Sequence, residues 1–133
     1  MQVIVYTNSN GGVSVCHPTG EIDIQSVLEK DCPPGAIIVD SSILPTGVNL
    51  QFFDAWELSG SVITVNLTKA KAIKLKEFNA YALDAAQKRQ LNTFAGIDNN
   101  ISDADFVNEL KIGRDSIANA QTTDELVLIA NPA

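Results

Sequence analysis

Up to Asn66 the apolar residues of this chain fall in short β-branched runs cut by turn clusters; beyond it they recur at helical spacing. A strand alternates faces every second residue and a helix returns to one face every 3.6, so no single pattern serves both. The chain is therefore expected to be an α+β protein. Residues 1–66 would form a small, mixed, β-rich lobe of two hairpins and a short helix. Residues 67–133 would form a helical segment for packing or oligomerisation.

The opening MQVIVY is a strand-like run, and Asn8-Ser9-Asn10-Gly11-Gly12 is a turn cluster. Val13 to Cys16 reads as the returning strand. Ile24, Val27 and Leu28 have helical spacing behind Asp23 as an N-cap, and Pro33-Pro34-Gly35 ends that helix. Ala36 to Val39 is a buried strand, and Asp40 to Gly47 a loop. Phe52, Phe53 and Trp56 form the aromatic centre of the lobe, read as core anchors rather than a ligand platform. Ala55 to Val65 reads as the second hairpin. A long helix is expected from about Lys69 to Thr93, with Ala70, Ile73, Phe78, Tyr81 and Ala85 near one stripe and Ala95-Gly96 as its stop. Ser102-x-x-Asp105 and Thr122-x-x-Glu125 resemble capping boxes that start two further helices, the first using Phe106, Leu110 and Ile117. Gly113 weakens the middle of that helix by about 1 kcal/mol relative to alanine.

The chain has 133 residues. A folded domain of this size buries about two-thirds of its unfolded surface, so a core forms without metals or disulfides. With 45% apolar and 19% charged residues, wholesale disorder is excluded. The sequence contains no uncharged apolar run long enough to cross a membrane, and no basic-then-apolar leader, so neither a membrane partner nor a signal peptide is expected. The net charge of −7 repels nucleic acid, so no nucleic-acid partner is expected either. Residues 1–66 carry one cation, Lys30, against seven anions. Lys69, Lys71, Lys74 and Lys76 cluster at the start of the long helix, but no aromatics interleave them to stack bases. They are read as a solvated helix start.

Few residues suit catalysis. His17 is the only histidine and lies beside Cys16, yet adjacent strand residues point to opposite faces. Zinc takes at least three protein ligands, more than this pair supplies. Cys16 and Cys32 fit no C-x-x-C pattern and are expected to be free, buried thiols, with a disulfide left open. Neither a P-loop, a dinucleotide fingerprint nor a G-x-S-x-G elbow occurs, and the aspartates of the lobe sit where turns and caps are expected. No catalytic residue, cofactor or metal is therefore expected.

Several landmarks occur in order: VIVYTNSNGGVSVCHPTGE, DCPPGA, IIVDSSILP, FFDAWELSG, VITVNLTKAKAIK and DSIANAQTTDELVL. This order resembles small tailed-phage proteins encoded near tail-fibre genes and, more loosely, the phage tail-fibre assembly protein family. The resemblance implies a non-enzymatic virion structural or assembly protein that acts by docking on tail or fibre subunits, and the helical segment, with only about 60 residues for its own core, is expected to form homo-oligomers. It would reside in the virion, or in the host cytoplasm during assembly. Assembly proteins of that kind usually carry a longer and more highly charged helical region than residues 67–133, which leaves a structural tail or fibre component open. Capsid decoration and inhibition of a host defence enzyme by the acidic lobe stand as alternatives. The candidate interface residues are Ile73, Phe78, Tyr81, Phe106 and Leu110.

Overall fold

A computed structural model describes all residues, 1–133, and the fold is α+β. The chain divides into two compact units, Met1–Asn66 and Leu67–Ala133.

In the first unit, β1 (Gln2–Thr7) is the middle strand of an antiparallel sheet, flanked by β2 (Val13–Cys16) and β3 (Ile37–Asp40). Val5 stands opposite Val15 on one side and Ile37 on the other. The β1–β2 turn is tied by Asn8, whose Oδ1 accepts the N–H groups of Asn10 and Gly12 at 3.0 and 3.1 Å. A second hairpin joins β4 (Trp56–Ser59) to β5 (Val62–Val65) through the turn residues Gly60 and Ser61, with Leu58 opposite Ile63. Alternation then sorts the side chains. Val3, Val5 and Val13 form one core with Trp56 and Ile63, and Val15, Ile37 and Val39 pack against it. Ile4 points the other way and is also fully buried. On that side lies α1 (Ile24–Asp31), which packs against β1 and β3. Each large side chain so buried contributes about 1.5–3 kcal/mol.

Two local expectations are corrected here. Asp23 precedes α1 but makes no side-chain cap, so the helix starts without one. Asp40 to Gly47 is not an open loop: Ser41–Ile43 is a 3-10 turn capped by Asp40 through Ser42 N–H at 2.9 Å, and Gly47 begins a second, Gly47–Ala55. The second presents Phe53 to Trp56, ring centroids 4.7 Å apart, and Trp56 Nε1–H donates to Asn49 O at 3.0 Å.

The second unit holds three helices: α2 (Leu67–Ala95), α3 (Asp103–Asn119) and α4 (Thr123–Leu128). At 1.5 Å per residue, the 29 residues of α2 span roughly 43 Å. It ends in a Schellman motif. Gly96 takes φ 73°, its N–H donates to Thr93 O, and Ile97 N–H donates to Asn92 O. The caps anticipated for α3 and α4 form: Ser102 Oγ accepts from Asp105 N–H at 3.1 Å, and Thr122 Oγ1 from Glu125 N–H at 3.2 Å. Glu125 reaches back to Gln121 N–H at 2.6 Å, one residue earlier than an ideal box.

One row of α2, Ala70, Lys74, Phe78, Ala82 and Ala85, is buried. Phe78 is 2% exposed and meets Gly113 of α3, where a Cβ would collide with its ring carbons. Gly113 is thus more than a weak point of α3, because its missing side chain admits the ring. The lysine cluster is not simply a solvated face. Lys71 Nζ donates to Ala118 O at the end of α3 (2.8 Å), and the buried Lys74 bonds Glu77 Oε2 and Asn131 Oδ1 at 3.3 Å each.

Candidate protein interaction surface

The helical unit is a hairpin whose third member is short. α3 runs back along α2 after the connector 96–102, and the connector is held by side chains rather than by core. Asn92 Nδ2 donates to Asn99 Oδ1 at 3.1 Å, and Asn99 Nδ2 donates to Arg89 O at 3.3 Å. Arg89 is the clamp. Its guanidinium donates to Ile101 O at 2.9 Å and Asp103 Oδ1 at 2.6 Å, and lies 4.8 Å over the ring of Phe106. Farther along, Arg114 Nε donates to Asn79 Oδ1 at 3.1 Å.

α4 has six residues and meets only part of α2, burying Leu126. Beyond it, α2 and α3 leave an open groove of about 820 Å³. Its walls include Ala85 and Arg89 from α2 and Phe106 and Leu110 from α3, and residues 128–133 close one end. Grooves between bundle helices are common docking sites, since an amphipathic segment can bury an apolar face there.

The structure brings three of the five candidate residues together. Phe78, Phe106 and Leu110 all line the groove. Phe106 and Leu110 are half-buried and remain reachable, whereas Phe78 belongs to the core of the unit rather than to its surface. Reading it as an exposed anchor is therefore corrected. Ala70, Phe78 and Ala85 follow the buried row, while Ile73 and Tyr81 lie to its side. Ile73 is half-buried and Tyr81 50% exposed, and neither borders the groove.

Sequence reasoning missed the most exposed apolar residues. Leu83, Leu91 and Phe94 of α2 and Val107 and Ile112 of α3 are all more than half exposed, as are Ile97 in the connector and Leu128. A second helical row on α2, offset from the first, was the available signal.

Elsewhere the chemistry is sparse. His17 is exposed, and no three His, Cys, Asp or Glu side chains come together as metal ligands. Cys16 and Cys32 are free and half-buried rather than sealed in the core. Burial pushes the Cys32 thiol above its ordinary value, and the neighbouring Cys16 and Asp31 add to the shift. Asp40 is held below the usual carboxylate range, first by accepting from the Ser42 backbone N–H and also by the nearby chain terminus. Both shifts follow from local contacts that already have structural roles. No helix is long and apolar enough to cross a membrane. No protein-family model matches the chain, and searches of the curated proteins and of the solved structures find no match.

Proposed function

We propose that this is a non-enzymatic structural or assembly protein of a tailed-phage tail or tail-fibre apparatus, acting by protein–protein docking through its helical unit. The observation that carries the docking mechanism is the open α2–α3 groove, whose walls combine the half-buried Phe106 and Leu110 with the exposed Ile112 and Leu128. Exposed apolar surface that is not scattered singly marks an interaction site. The phage setting rests on the order of the sequence landmarks. On this reading, a tail or fibre subunit seats an amphipathic segment against Phe106 and Leu110 in the α2–α3 groove, and the acidic β-rich unit keeps the chain soluble.

Mass spectrometry of purified particles tests the proposal. The protein should be present at a few copies per particle, or, for an assembly factor, co-purify with a tail or fibre subunit from infected cells. Leu110→Asp should abolish that association while the helical circular-dichroism signal persists. Hundreds of copies per particle would indicate capsid decoration instead. Absence from both particles and subunit pull-downs would refute the docking role.

A further inference from the structure

α2 carries apolar residues on two opposite sides, so that as an amphipathic pattern they nearly cancel. Ala70, Lys74, Phe78, Ala82 and Ala85 make the buried row. At 100° per residue, Ala80, Leu83, Gln87, Leu91 and Phe94 fall on the far side within one narrow stripe. All five are exposed, Leu83 by 62%, Leu91 by 66% and Phe94 by 82%. A helix apolar on both sides is one that packs on both sides.

The spacing of the second row identifies what packs there. Its steps are 3, 4, 4 and 3 residues, symmetric about Gln87. Two copies of α2 laid antiparallel, with a two-fold axis at Gln87, set Leu83 against Leu91 of the other copy. Ala80 then meets Phe94, a small residue opposite a large one. Gln87 meets itself on the axis, where one amide can donate to the other. A two-fold interface must be self-complementary in this way, with residue i on j and j on i.

Charge selects the same orientation. Lys69 and Lys76 lie at the start of α2, and Asp98 and Asp105 lie at its other end, in the connector and the first turn of α3. Antiparallel pairing brings the basic end of each copy to the acidic end of the other, whereas parallel pairing sets like ends together. Area also suffices. Leu83, Leu91 and Phe94 expose on the order of 400 Å² of apolar surface per chain. A standard interface buries about 800 Å² per partner, somewhat over half of it apolar.

We propose that the far side of α2 is a homodimer seam, occupied by α2 of a second copy in antiparallel register about Gln87. This goes beyond the docking role above and uses a different side of the helix from the α2–α3 groove.

The test is light scattering with size-exclusion chromatography on the full chain, together with sedimentation equilibrium. A mass of twice 14.2 kDa is expected at about 10 μM. Leu83→Lys alone and Leu91→Glu alone should each weaken the dimer at least ~30-fold, because each buries a charge against leucine. The double variant should recover most of that loss, since the introduced ammonium of each copy then meets the introduced carboxylate of the other, once on each side of the axis. Both positions are exposed within the chain, and unchanged circular dichroism would verify that each variant folds. A monomer at about 100 μM, a dimer indifferent to both single changes, or a double variant no better than the singles would overturn the seam. The virion measurement is separate: a monomeric chain still found in particles sinks the seam alone, and a dimer absent from particles and pull-downs sinks the phage role alone.

Discussion

Gly113→Ala should destabilise the helical unit, against the usual effect of that change in a helix. On propensity alone, alanine in the middle of α3 gains about 1 kcal/mol. The space denies it. A Cβ at position 113 would run into the Cζ and Cε2 atoms of Phe78, a ring that is 2% exposed and flanked by the Arg114 guanidinium 5.9 Å from its centroid. A flat ring enclosed on that scale cannot swing aside as a lysine tip would. The helices must separate or the ring must leave its rotamer, and overpacking of this kind costs typically about 1–3 kcal/mol. Set against the propensity gain, the net loss is up to about 2 kcal/mol, which lowers the melting temperature of a unit this size by up to roughly 16 °C. Thermal and urea unfolding followed by far-ultraviolet circular dichroism reads it directly. Phe78→Leu should cost stability alone yet be better tolerated in the Gly113→Ala background than in the parent, a coupling of about 1–2 kcal/mol in the double-mutant cycle. If Gly113→Ala instead raises the melting temperature, the Phe78–Gly113 contact is not what sets the spacing of α2 and α3.

Three further outcomes are expected. Arg89→Lys should cost about 1–2 kcal/mol in urea unfolding, because an ammonium cannot hold Ile101 O and Asp103 while stacking on Phe106. Asp103→Ala should cost under about 0.5 kcal/mol, its carboxylate being 92% exposed, and equal losses from the two would refute the clamp. Lys74→Met should stay within about 1 kcal/mol of the parent because the buried stem is kept, whereas Lys74→Ala should lose about 2 kcal/mol by emptying its place in the row; indistinguishable variants would show that packing of the stem is irrelevant. The raised Cys32 thiol stays protonated to higher pH than an open cysteine, so its alkylation should lag that of a model thiol at about pH 8 and accelerate only as pH climbs further. Because the penalty falls on the thiolate, the fold is unaffected by it below the unfolded thiol's pKa and loses stability as pH rises from there through the folded one, and a Cys32 rate matching the model thiol would contradict the shift.

What was legible in the sequence was local. The β1–β2 and β4–β5 hairpins, the caps at Ser102 and Thr122 and the stop at Gly96 each depend on residues close together along the chain. Such contacts are written in spacing and turn chemistry. The 3-10 turns at 41–43 and 47–55 were not legible, because such turns, the second of them packed on Trp56, carry neither the strand nor the helix period. The long-range contacts were not legible either. Nothing local says that Phe78 fits against Gly113, that Lys71 caps α3, or that Lys74 bonds Asn131. The candidate interface suffered for the same reason. Ile73, Phe78 and Tyr81 looked like one stripe, but α3 takes the side with Phe78 and leaves Tyr81 half in solvent. The far row was hidden because Gln87 and Ala80 dilute its leucines.

The edges of the β1–β3 sheet limit how this molecule can recruit anything. β2 and β3, which flank the buried middle strand, each span only four residues, and so do both strands of the other hairpin. Margins that brief offer an incoming extended peptide few main-chain groups to zip onto. Recruitment by adding a strand is thereby disfavoured on this lobe, and fibrillar stacking with it. An incoming partner would then have to be held by side chains, and the exposed apolar ones are more numerous on the helices that follow.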